Sequence, residues 1–348
     1  MSRVVILDEI KGRPIAALLV DGVLEDVAID PEGDAPLVGA IYRAVADRPM
    51  KGQGGMFVRL PEGSGFLRQT AGIAPGQRLL VQITGPADAG KAFPVTTRLL
   101  FKSRYAIVTP EAPGLNISRR IRDEDLRSAL DALARGGMAG AEESLGLILR
   151  SACDGAEAGE IAEDIAAMRS MAQAVLADIE GSPELLVEGA GAHETAWRDW
   201  ADPAPDEVIE GGLAEHGVLE MLDSLLALRV DLGEGNSGGH MMLEPTRALV
   251  AVDVNTGNDT SPAASLKVNI AAARSLPRQL RLRGLGGQVV VDFAPMPKRD
   301  RAVLEQVIRA AFKFEAEVNL AGWTTLGLYE FTRKRDRIPL RDLLAGAI

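Results

Sequence analysis

Residues 248–295 read ALVAVDVNTGNDTSPAASLKVNIAAARSLPRQLRLRGLGGQVVVDFAP, and this stretch decides the fold. It contains one arrangement twice: a valine-rich run that ends in an aspartate, first at Asp253 and then at Asp292. Apolar runs of this length between turn residues are typical of strands that are buried on both faces. An ionised carboxylate is costly in apolar surroundings unless it is paired or binds a metal. If the two strands are neighbours, two carboxylates therefore meet at their ends.

Two adjacent carboxylates need a positive partner. At about 4 Å and an effective dielectric constant near 20, their repulsion is roughly 4 kcal/mol. Mg²⁺ is the natural partner, because proteins typically hold it through one or two carboxylates, waters and substrate phosphates. The alternative is that each aspartate only caps the turn after its strand, and residues 253–257, DVNTG, have suitable turn chemistry.

Charge is distributed unevenly along the chain. The net charge of −11 argues against a nucleic-acid-binding protein. However, residues 141–237 contain 22 acidic and four basic residues, so the remainder carries a net charge of +7. Between Arg247 and Arg301, nine basic residues outnumber four acidic ones. Two acids within a basic segment suit a metal-dependent enzyme that acts on a polyanion.

The composition excludes several classes of protein. Hydrophobic residues make up 47% of the chain and charged residues 25%, which is typical of a soluble globular protein. The single cysteine, Cys153, excludes a disulfide framework and a cysteine-cluster metal site within one chain. No apolar run is long enough to span a membrane, and residues 1–13 lack the apolar region of a secretory signal. A cytoplasmic protein is expected.

Three motifs together closely resemble the catalytic core of the ribonuclease E/G family: VDVNTG at 252–257, RQLRLRGLGG at 278–287 and VVVDF at 289–293. They occur in the family's order and close to its spacing. The resemblance implies a metal-dependent endoribonuclease that cleaves single-stranded RNA to leave 5′-phosphate and 3′-hydroxyl ends. It implies that Asp253 and Asp292 hold Mg²⁺, or Mn²⁺ in its place, and that Asn255 orients the scissile phosphate. Arg278 and Arg281 are candidates for contacts with the RNA backbone.

The same resemblance implies an α/β fold of several subdomains. A ribonuclease-H-like subdomain is expected at residues 1–34 and 185–235, in trimmed form because little sequence separates Gly212 from the next helix. An S1-type, oligonucleotide-binding barrel is expected at residues 35–99 and a 5′-sensor region at residues 100–184. A DNase-I-like catalytic subdomain is expected at residues 236–348. Alternating short strands with glycine-rich turns in residues 37–99 favour a small closed barrel.

The resemblance also assigns residues that contact RNA. Phe57 and Phe66 match positions where the family places aromatic rings against a base, although both rings could instead lie in the barrel core. Lys91 matches a lysine that approaches the RNA. The motif GLILRSA at 146–152 resembles the family's 5′-sensor, so that Arg150 and Ser151 would grip a 5′-terminal monophosphate. The planar fork of an arginine suits this role, because it donates two hydrogen bonds to phosphate oxygens.

Departures from the family keep other functions open. Arg247 replaces a residue that is usually acidic, and Pro277 falls within a predicted helix, where proline costs about 3 kcal/mol or forces a kink. The Cys-Pro-x-Cys segment of the family is absent, so no zinc and no zinc-linked dimer are expected, while other homo-oligomers stay open. One alternative is therefore a catalytically impaired, RNA-binding member of the family. A second is a nucleotide-binding α/β protein with residues 284–287, GLGG, as its phosphate loop, although GLGG follows a helix and precedes a strand, the reverse of the required order.

Overall fold

The structure is a computed structural model that describes residues 2–33, 35–50, 52, 54–87, 90–232, 238–259, 261–315 and 317–345. Two compact units are present, one formed by residues 1–21 and 28–211 and the other by residues 22–27 and 212–348. The predicted boundaries at residue 34 and at residues 235–236 fall outside the described residues, and the predicted subdomain divisions stay predictions. No helix in the described ranges is both long enough and apolar enough to cross a membrane.

Short strands dominate the chain, and all α-helices of the described residues follow residue 120. The first strands are β1 (Arg3–Ile10), β2 (Arg13–Val20), β3 (Val23–Ile29), β4 (Ile41–Pro49), β5 (Met56–Leu60), β6 (Gly63–Leu67), β7 (Arg78–Ile83), β8 (Phe93–Thr96), β9 (Phe101–Lys102), β10 (Ala106–Thr109) and β11 (Gly114–Ile117). The later strands are β12 (Gly146–Leu149), β13 (Glu184–Val187), β14 (Glu207–Glu210), β15 (Arg229–Asp231), β16 (His240–Pro245), β17 (Leu249–Asn255), β18 (Gly287–Asp292), β19 (Val318–Trp323) and β20 (Tyr329–Arg333). The α-helices are α1 (Glu124–Gly137), α2 (Ala158–Ala177), α3 (Ala192–Asp199), α4 (Val218–Leu226), α5 (Pro262–Leu282), α6 (Lys298–Ala311) and α7 (Leu340–Leu343).

Five strands of the first unit form a closed β-barrel. They are neighbours in the order β4-β5-β6-β8-β7, and β7 pairs back with β4. Successive side chains of a strand point to opposite faces, so each strand has an inner and an outer row. In β5, Met56, Val58 and Leu60 are buried inside the barrel, whereas Phe57 and Arg59 lie on its outside. The predicted small barrel is confirmed, and it is consistent with an S1-like, oligonucleotide-binding fold.

Two further sheets complete the first unit. In one, β1 pairs with β2 in antiparallel fashion and with β14 in parallel, and α3 packs on the sheet through Ala196 and Trp200. The other has the order β11-β12-β10-β9 and is covered by α1 and α2. Helix α1 begins after Asp123, whose carboxylate accepts a hydrogen bond from the Leu126 N–H at 2.8 Å. The predicted strand at residues 146–149 is confirmed as β12, and it delivers Arg150 at its end.

The second unit is built on a sheet with the order β15-β16-β17-β18-β20-β19. Strands β17 and β18 are parallel and are joined by α5, and the other neighbours are antiparallel. One face of the sheet packs on α5 and α6, with Val252, Val291 and Leu304 in the core. Burying each such side chain stabilises the fold by roughly 1.5–3 kcal/mol.

The expectation that β17 and β18 are buried on both faces is wrong. In β17, Val250, Val252 and Val254 are buried, whereas Ala251 is half-buried and Asp253 is exposed. The reason is that helices cover only one face of this mixed sheet among the described residues, and a valine-rich run does not reveal how many of its faces are covered. The uncovered face carries the predicted aspartates.

Helix α5 sets the spacing between the two parallel strands. Ser261 caps its N-terminus, because the Ser261 hydroxyl accepts a hydrogen bond from the Ala264 N–H at 3.2 Å, and Pro262 is its first residue. The helix continues through the buried Pro277 to Leu282. Pro277 removes one backbone hydrogen bond, but it does not end the helix, because the flanking residues pack into the core.

Candidate active site and nucleic-acid-binding surfaces

Asp253 and Asp292 stand side by side near the carboxyl ends of two neighbouring strands. The parallel register of β17 and β18 pairs Asp253 directly with Asp292. Because Val252 and Val291 point into the core, the side chains that follow them point to the opposite, exposed face. Adjacent strands lie about 4.8 Å apart, so the two carboxylates are neighbours on that face.

A shallow depression on the exposed face contains both aspartates. Its volume is about 230 Å³. It is lined by Met242, Glu244, Ala251, Val252, Asp253, Val290, Asp292 and Leu328. Asn255, two residues along β17, donates a hydrogen bond from Nδ2 to Asp253 Oδ2 at 2.8 Å. All three residues that were predicted to be catalytic therefore lie together.

The donor set of this depression fits a hard divalent cation. Within the described part of the chain, neither Asp253 nor Asp292 has a lysine or arginine partner, and ionised carboxylates can only accept hydrogen bonds. The same residues include no group of three or more histidine, cysteine, aspartate or glutamate side chains that could hold a metal ion. A cation would therefore rely on these two carboxylates and complete its shell with waters and substrate phosphate, as Mg²⁺ commonly does. Mn²⁺ prefers similar oxygen ligands.

Arg247 lies away from this carboxylate pair. It precedes β17, whereas Asp253 is near the other end of that strand, six residues further along. Six residues of extended chain span about 20 Å. That distance exceeds the screening length of about 8 Å at physiological salt, so a charge at residue 247 acts only weakly on the carboxylates.

The GLGG segment is needed for close backbone packing. A Cβ atom on Gly284 would lie 2.5 Å from the Ile338 carbonyl oxygen, and one on Gly286 would lie 2.5 Å from the Lys334 carbonyl oxygen. These glycines therefore let the chain after β20 cross the α5–β18 connection. Because protein backbone occupies the space beside these glycines, the GLGG segment does not form an open phosphate loop.

Phe57 and Phe66 lie next to each other on the outside of the barrel. They are paired across β5 and β6, and their ring centroids are 5.4 Å apart at an angle of 59°. Both rings are half-buried, so the alternative that they form the barrel core is wrong. The Arg48 guanidinium lies 5.4 Å from the Phe57 ring centroid. Lys91 is exposed and lies two residues before β8, the strand next to β6.

Arg150 lies at the end of β12, but other residues of the protein already use its guanidinium donors. Nη2 donates to Asp199 Oδ1 at 2.8 Å, and Nη1 donates to the carbonyl oxygens of Ser103 and Arg198 at 2.5 and 3.0 Å. Ser151 begins a short 3₁₀ turn and is half-buried. Arg150 and Ser151 are thus neighbours at the end of β12. Arg150 binds the Asp199 carboxylate, whereas the sequence predicted that it binds a 5′-terminal phosphate.

The two arginines of α5 differ in their surroundings. Arg281 forms ion pairs with Glu25 and Glu315 and lies 3.8 Å from Asp26. Arg278 is half-buried and makes no ion pair with the described residues. Arg281 thus has a structural role that its sequence position did not reveal, and Arg278 stays the better candidate for an RNA contact.

Comparison with known proteins identifies the relatives of this chain. The sequence profile of the Ribonuclease E/G family matches residues 101–212 and 210–336. The chain belongs to the ribonuclease E/G family. Ribonuclease E of Nostoc sp. (strain PCC 7120) is 30% identical over 357 residues, which cover 86% of this chain and 51% of the relative. Ribonuclease G of Escherichia coli (strain K12) is 26% identical over 398 residues, which cover 95% of this chain and 79% of the relative.

The relatives in the ribonuclease E/G family are longer than this chain. Ribonuclease E of Synechocystis sp. (strain PCC 6803) is 30% identical over 365 residues, covering 88% of this chain and 53% of the relative. The chain therefore spans about half the length of these ribonuclease E proteins and about four fifths of ribonuclease G. The alignment with ribonuclease G is longer than the 348 residues of this chain, so the relative contains inserted residues.

Sequence reasoning missed three residues of this family member that are prominent in the structure. Lys102, Arg198 and Asp199 all lie around Arg150, and Asp199 accepts from each of the three cations. No local pattern reveals this group, because its members come from β9, the end of β12 and the end of α3. Glu244, which lines the depression, was also missed, although its position in the alternating strand β16 places it on the exposed face.

Proposed function

We propose that this chain is a metal-dependent endoribonuclease that cleaves single-stranded RNA in RNA processing or decay. The observation that carries the proposal is the in-register pair Asp253 and Asp292, exposed and without a cationic partner among the described residues. Membership of the ribonuclease E/G family supports the same reaction. The products would carry 5′-phosphate and 3′-hydroxyl ends.

In the proposed mechanism, Asp253 and Asp292 would hold one divalent cation, Mg²⁺ or Mn²⁺. The cation would polarise the scissile phosphodiester and lower the pKa of an attacking water. The oxygen of that water becomes part of the 5′-phosphate, while the bond to the 3′ oxygen breaks and that oxygen takes up a proton. Asn255 holds the Asp253 carboxylate through its amide N–H and would orient the phosphate. No part is proposed for zinc.

RNA would be bound by the first unit as well. Phe57 and Phe66 offer two neighbouring rings for stacking, and base stacking contributes about 1–3 kcal/mol per base. Arg48 and Lys91 would contact the RNA backbone beside these rings. In the second unit, Arg278 and Arg281 are weaker candidates for contacts with the RNA backbone. Arg150 and Ser151 are proposed to recognise a 5′-terminal phosphate. The predicted subdomains, from the trimmed ribonuclease-H-like sheet to the DNase-I-like catalytic part, and a cytoplasmic location belong to the same proposal.

A cleavage assay with matched variants tests the activity. Wild type, Asp253→Asn and Asp292→Asn are incubated with labelled single-stranded RNA, with Mg²⁺ or with EDTA. Each substitution is expected to lower the rate at least about 10²–10³-fold, because half of the charge that binds the cation is lost. RNA binding in EDTA is expected to change by less than about threefold, since neither carboxylate attracts a polyanion.

Asp231→Asn is the control, because Asp231 lies in the same sheet but pairs with Arg229 at 2.8 Å. Its cleavage rate should match that of wild type. Cleavage by Asp253→Asn or Asp292→Asn at the wild-type rate would contradict the assignment. A wild-type chain that binds RNA but does not cut it with Mg²⁺ or Mn²⁺ would instead support the impaired, RNA-binding alternative.

A further inference from the structure

An arginine without a carboxylate partner lies at the edge of the sheet in the second unit. Arg301 is near the start of α6, and its guanidinium carbon lies 4.8 Å from the centroid of the Trp323 ring. A Cβ atom on Gly327 would lie 3.1 Å from Arg301 Nη2, so the guanidinium also packs on the β19–β20 turn. The Trp323 ring and Gly327 therefore hold this guanidinium in one place.

The Arg301 guanidinium has hydrogen-bonding capacity that the described residues do not use. Its Nε is buried without a hydrogen-bond partner, and Arg301 makes no ion pair within the described part of the chain. Arg281 and Arg333 of the same unit, in contrast, both pair with Glu315. Burying a charged donor without a partner is unfavourable. An anion that binds at Arg301 would offset this cost.

The β19–β20 turn places Arg301 near the carboxylate pair. Strands β18 and β20 pair in antiparallel register, so Leu328 lies beside Asp292, and both residues line the depression. Gly327 is the neighbour of Leu328, so its Cα is within about 10 Å of the Asp292 Cα. The charges of one nucleic-acid strand follow one another at intervals of about 3.4 Å or more. RNA that is bound at the carboxylates therefore has a neighbouring phosphate within reach of Arg301.

The tip of the same turn is apolar. The Leu326 side chain is 88% exposed, and it lies two residues from Leu328 in the depression. Apolar side chains at nucleic-acid-binding surfaces pack against bases or insert between them. Lys298 is exposed and lies one helical turn from Arg301, so the surroundings of the turn are positively charged. A polyanion with apolar bases suits this surface better than an apolar protein surface does.

We propose that Arg301 and Leu326 form the binding site for the nucleotide next to the scissile phosphate. Arg301 binds the phosphate of this nucleotide, and Leu326 packs against its base. The inference rests on the proposed RNA cleavage and deepens it. A base is free to leave its neighbours only where RNA is single-stranded, so the contact with Leu326 favours single-stranded substrates.

The salt dependence of RNA binding tests the phosphate contact. Dissociation constants for labelled single-stranded RNA are measured by fluorescence anisotropy in EDTA over a range of KCl concentrations. Each phosphate contact to a single strand contributes about 0.7 to the slope of log Kd against log salt. Arg301→Gln should weaken binding about fivefold or more and lower the slope by about 0.7, whereas Arg301→Lys should keep the slope because the charge is retained.

Arg309→Gln is the matched control for charge. It causes the same change in net charge on the same helix, but Arg309 pairs with Glu305 at 2.6 Å. Its salt slope should equal that of the wild type. A purely structural role of Arg301 would leave the slope unchanged, so the slope separates binding from folding.

An abasic RNA tests the base contact. Leu326→Ala should weaken binding of single-stranded RNA about threefold or more and should leave binding of an abasic ribose-phosphate oligomer of equal length unchanged. Arg301→Gln should weaken binding of both. Phe314→Ala is the control, because Phe314 is 82% exposed but follows the other end of α6, about 20 Å from Arg301 along the helix. It should bind both RNAs as the wild type does.

Two outcomes overturn the inference. One is a wild-type salt slope in folded Arg301→Gln. The other is a Leu326→Ala variant that binds single-stranded RNA as the wild type does, or that loses as much affinity for the abasic oligomer. Leu326 is exposed, so its replacement leaves the core intact, and this arm decides the matter if Arg301→Gln does not fold. Binding in EDTA is independent of cutting, so absence of cleavage with Mg²⁺ would contradict the proposed function and leave these outcomes readable.

Discussion

Two groups of carboxylates in the second unit differ in what surrounds them. Asp253 and Asp292 face an open depression and have no cationic partner among the described residues. The other group surrounds Arg281. It consists of Glu25, Asp26, Arg281, Glu315, Arg333, Asp336 and Arg337, and is called the Arg281 cluster. In that cluster each of the four carboxylates meets at least one guanidinium.

The difference separates structural charges from charges that are available to a ligand. Asp26 receives a hydrogen bond from Arg337 Nη2 at 3.0 Å and a second one from Arg337 Nη1. Burial alone would lower the pKa of Arg337, but the Asp26 carboxylate raises that pKa above its usual value. Such paired groups stabilise the fold and are already satisfied. Two carboxylates in register without a cation repel each other, so a bound divalent cation removes an unfavourable interaction.

Replacing Asp26 by Asn is expected to give the largest loss of stability. The substitution leaves Arg337 without its bidentate partner, and breaking a buried pair costs about 3–5 kcal/mol, or about 2–4 kcal/mol here because 30% of the Arg337 side chain is exposed. Urea unfolding in EDTA measures the difference. Asp253→Asn should change stability by less than about 0.5 kcal/mol, and in the stabilising direction, because it removes a like-charge neighbour.

Equal losses of stability in Asp26→Asn and Asp253→Asn would contradict the distinction between structural carboxylates and carboxylates that are available to a ligand. If Asp253→Asn cost as much as Asp26→Asn, the carboxylate pair would be part of the structural framework. If Asp26→Asn were neutral, the Arg281 cluster would contribute little to stability, and Arg281 would become a stronger candidate for contacts with RNA.

The carboxylate pair shows how far sequence alone reaches in this protein. Two valine-rich runs that end in aspartate predicted two strands whose carboxylates meet if the strands are neighbours, and in the structure the strands are neighbours. The in-register pairing itself could not be predicted, because a shift of one residue turns a side chain to the opposite face, and the register depends on packing against α5. The number of covered faces depends on the whole sheet, so the predicted burial of both faces was wrong.

The outward position of Phe57 was within reach of the sequence, whereas the partners of Arg150 were not. Met56, Val58 and Leu60 alternate with Phe57, and a period of two places Phe57 on the other face. Arg150 and Asp199 are 49 residues apart and on different elements. A sequence shows that an arginine is charged but does not show which carboxylate it pairs with. For the same reason, the pairing of Arg281 with Glu25 and Glu315 could not be predicted.

Acid unfolding extends the comparison to the first unit, where Asp199 pairs with Lys102, Arg150 and Arg198. The pKa of Asp199 is lowered in the folded protein, so its contribution is fully present above the unfolded pKa of about 3.9 and is lost as the pH falls through the lower, folded pKa. At pH 6 the wild type should be more stable than Asp199→Asn by on the order of 2 kcal/mol. The gap should begin to narrow below about pH 4.

Urea unfolding at pH 6, 4 and 2.5 follows this gap. Asp154→Asn should behave like the wild type at each pH, because Asp154 is exposed and makes no ion pair in the described part of the chain. A gap between wild type and Asp199→Asn that stayed constant down to pH 2.5 would mean that the Asp199 carboxylate does not stabilise the fold through its charge.

The smallest expected effect on stability concerns the barrel, where the half-buried ring of Phe66 packs against a glycine. Gly55 has a φ of +102°, and a Cβ atom there would lie 2.5 Å from Cζ of the Phe66 ring and 3.1 Å from the Leu67 carbonyl oxygen. Gly55→Ala should therefore cost about 1–2 kcal/mol of stability through the positive φ, and should also displace the Phe66 ring. Displacing a ring that stacks on a base should lower the RNA affinity about fivefold or more.

Gly72→Ala separates the two effects, because Gly72 also has a positive φ, of +79°, but nothing lies within 4 Å of its would-be Cβ. Both variants should lose similar stability, and only Gly55→Ala should lose RNA affinity, as measured by anisotropy with single-stranded RNA in EDTA. Equal affinities would mean that the ring of Phe66 does not touch RNA, and that its exposure has no binding role. A loss of RNA affinity confined to Gly55→Ala would show that this surface, like the carboxylate pair, consists of groups that the fold positions and leaves accessible to a ligand.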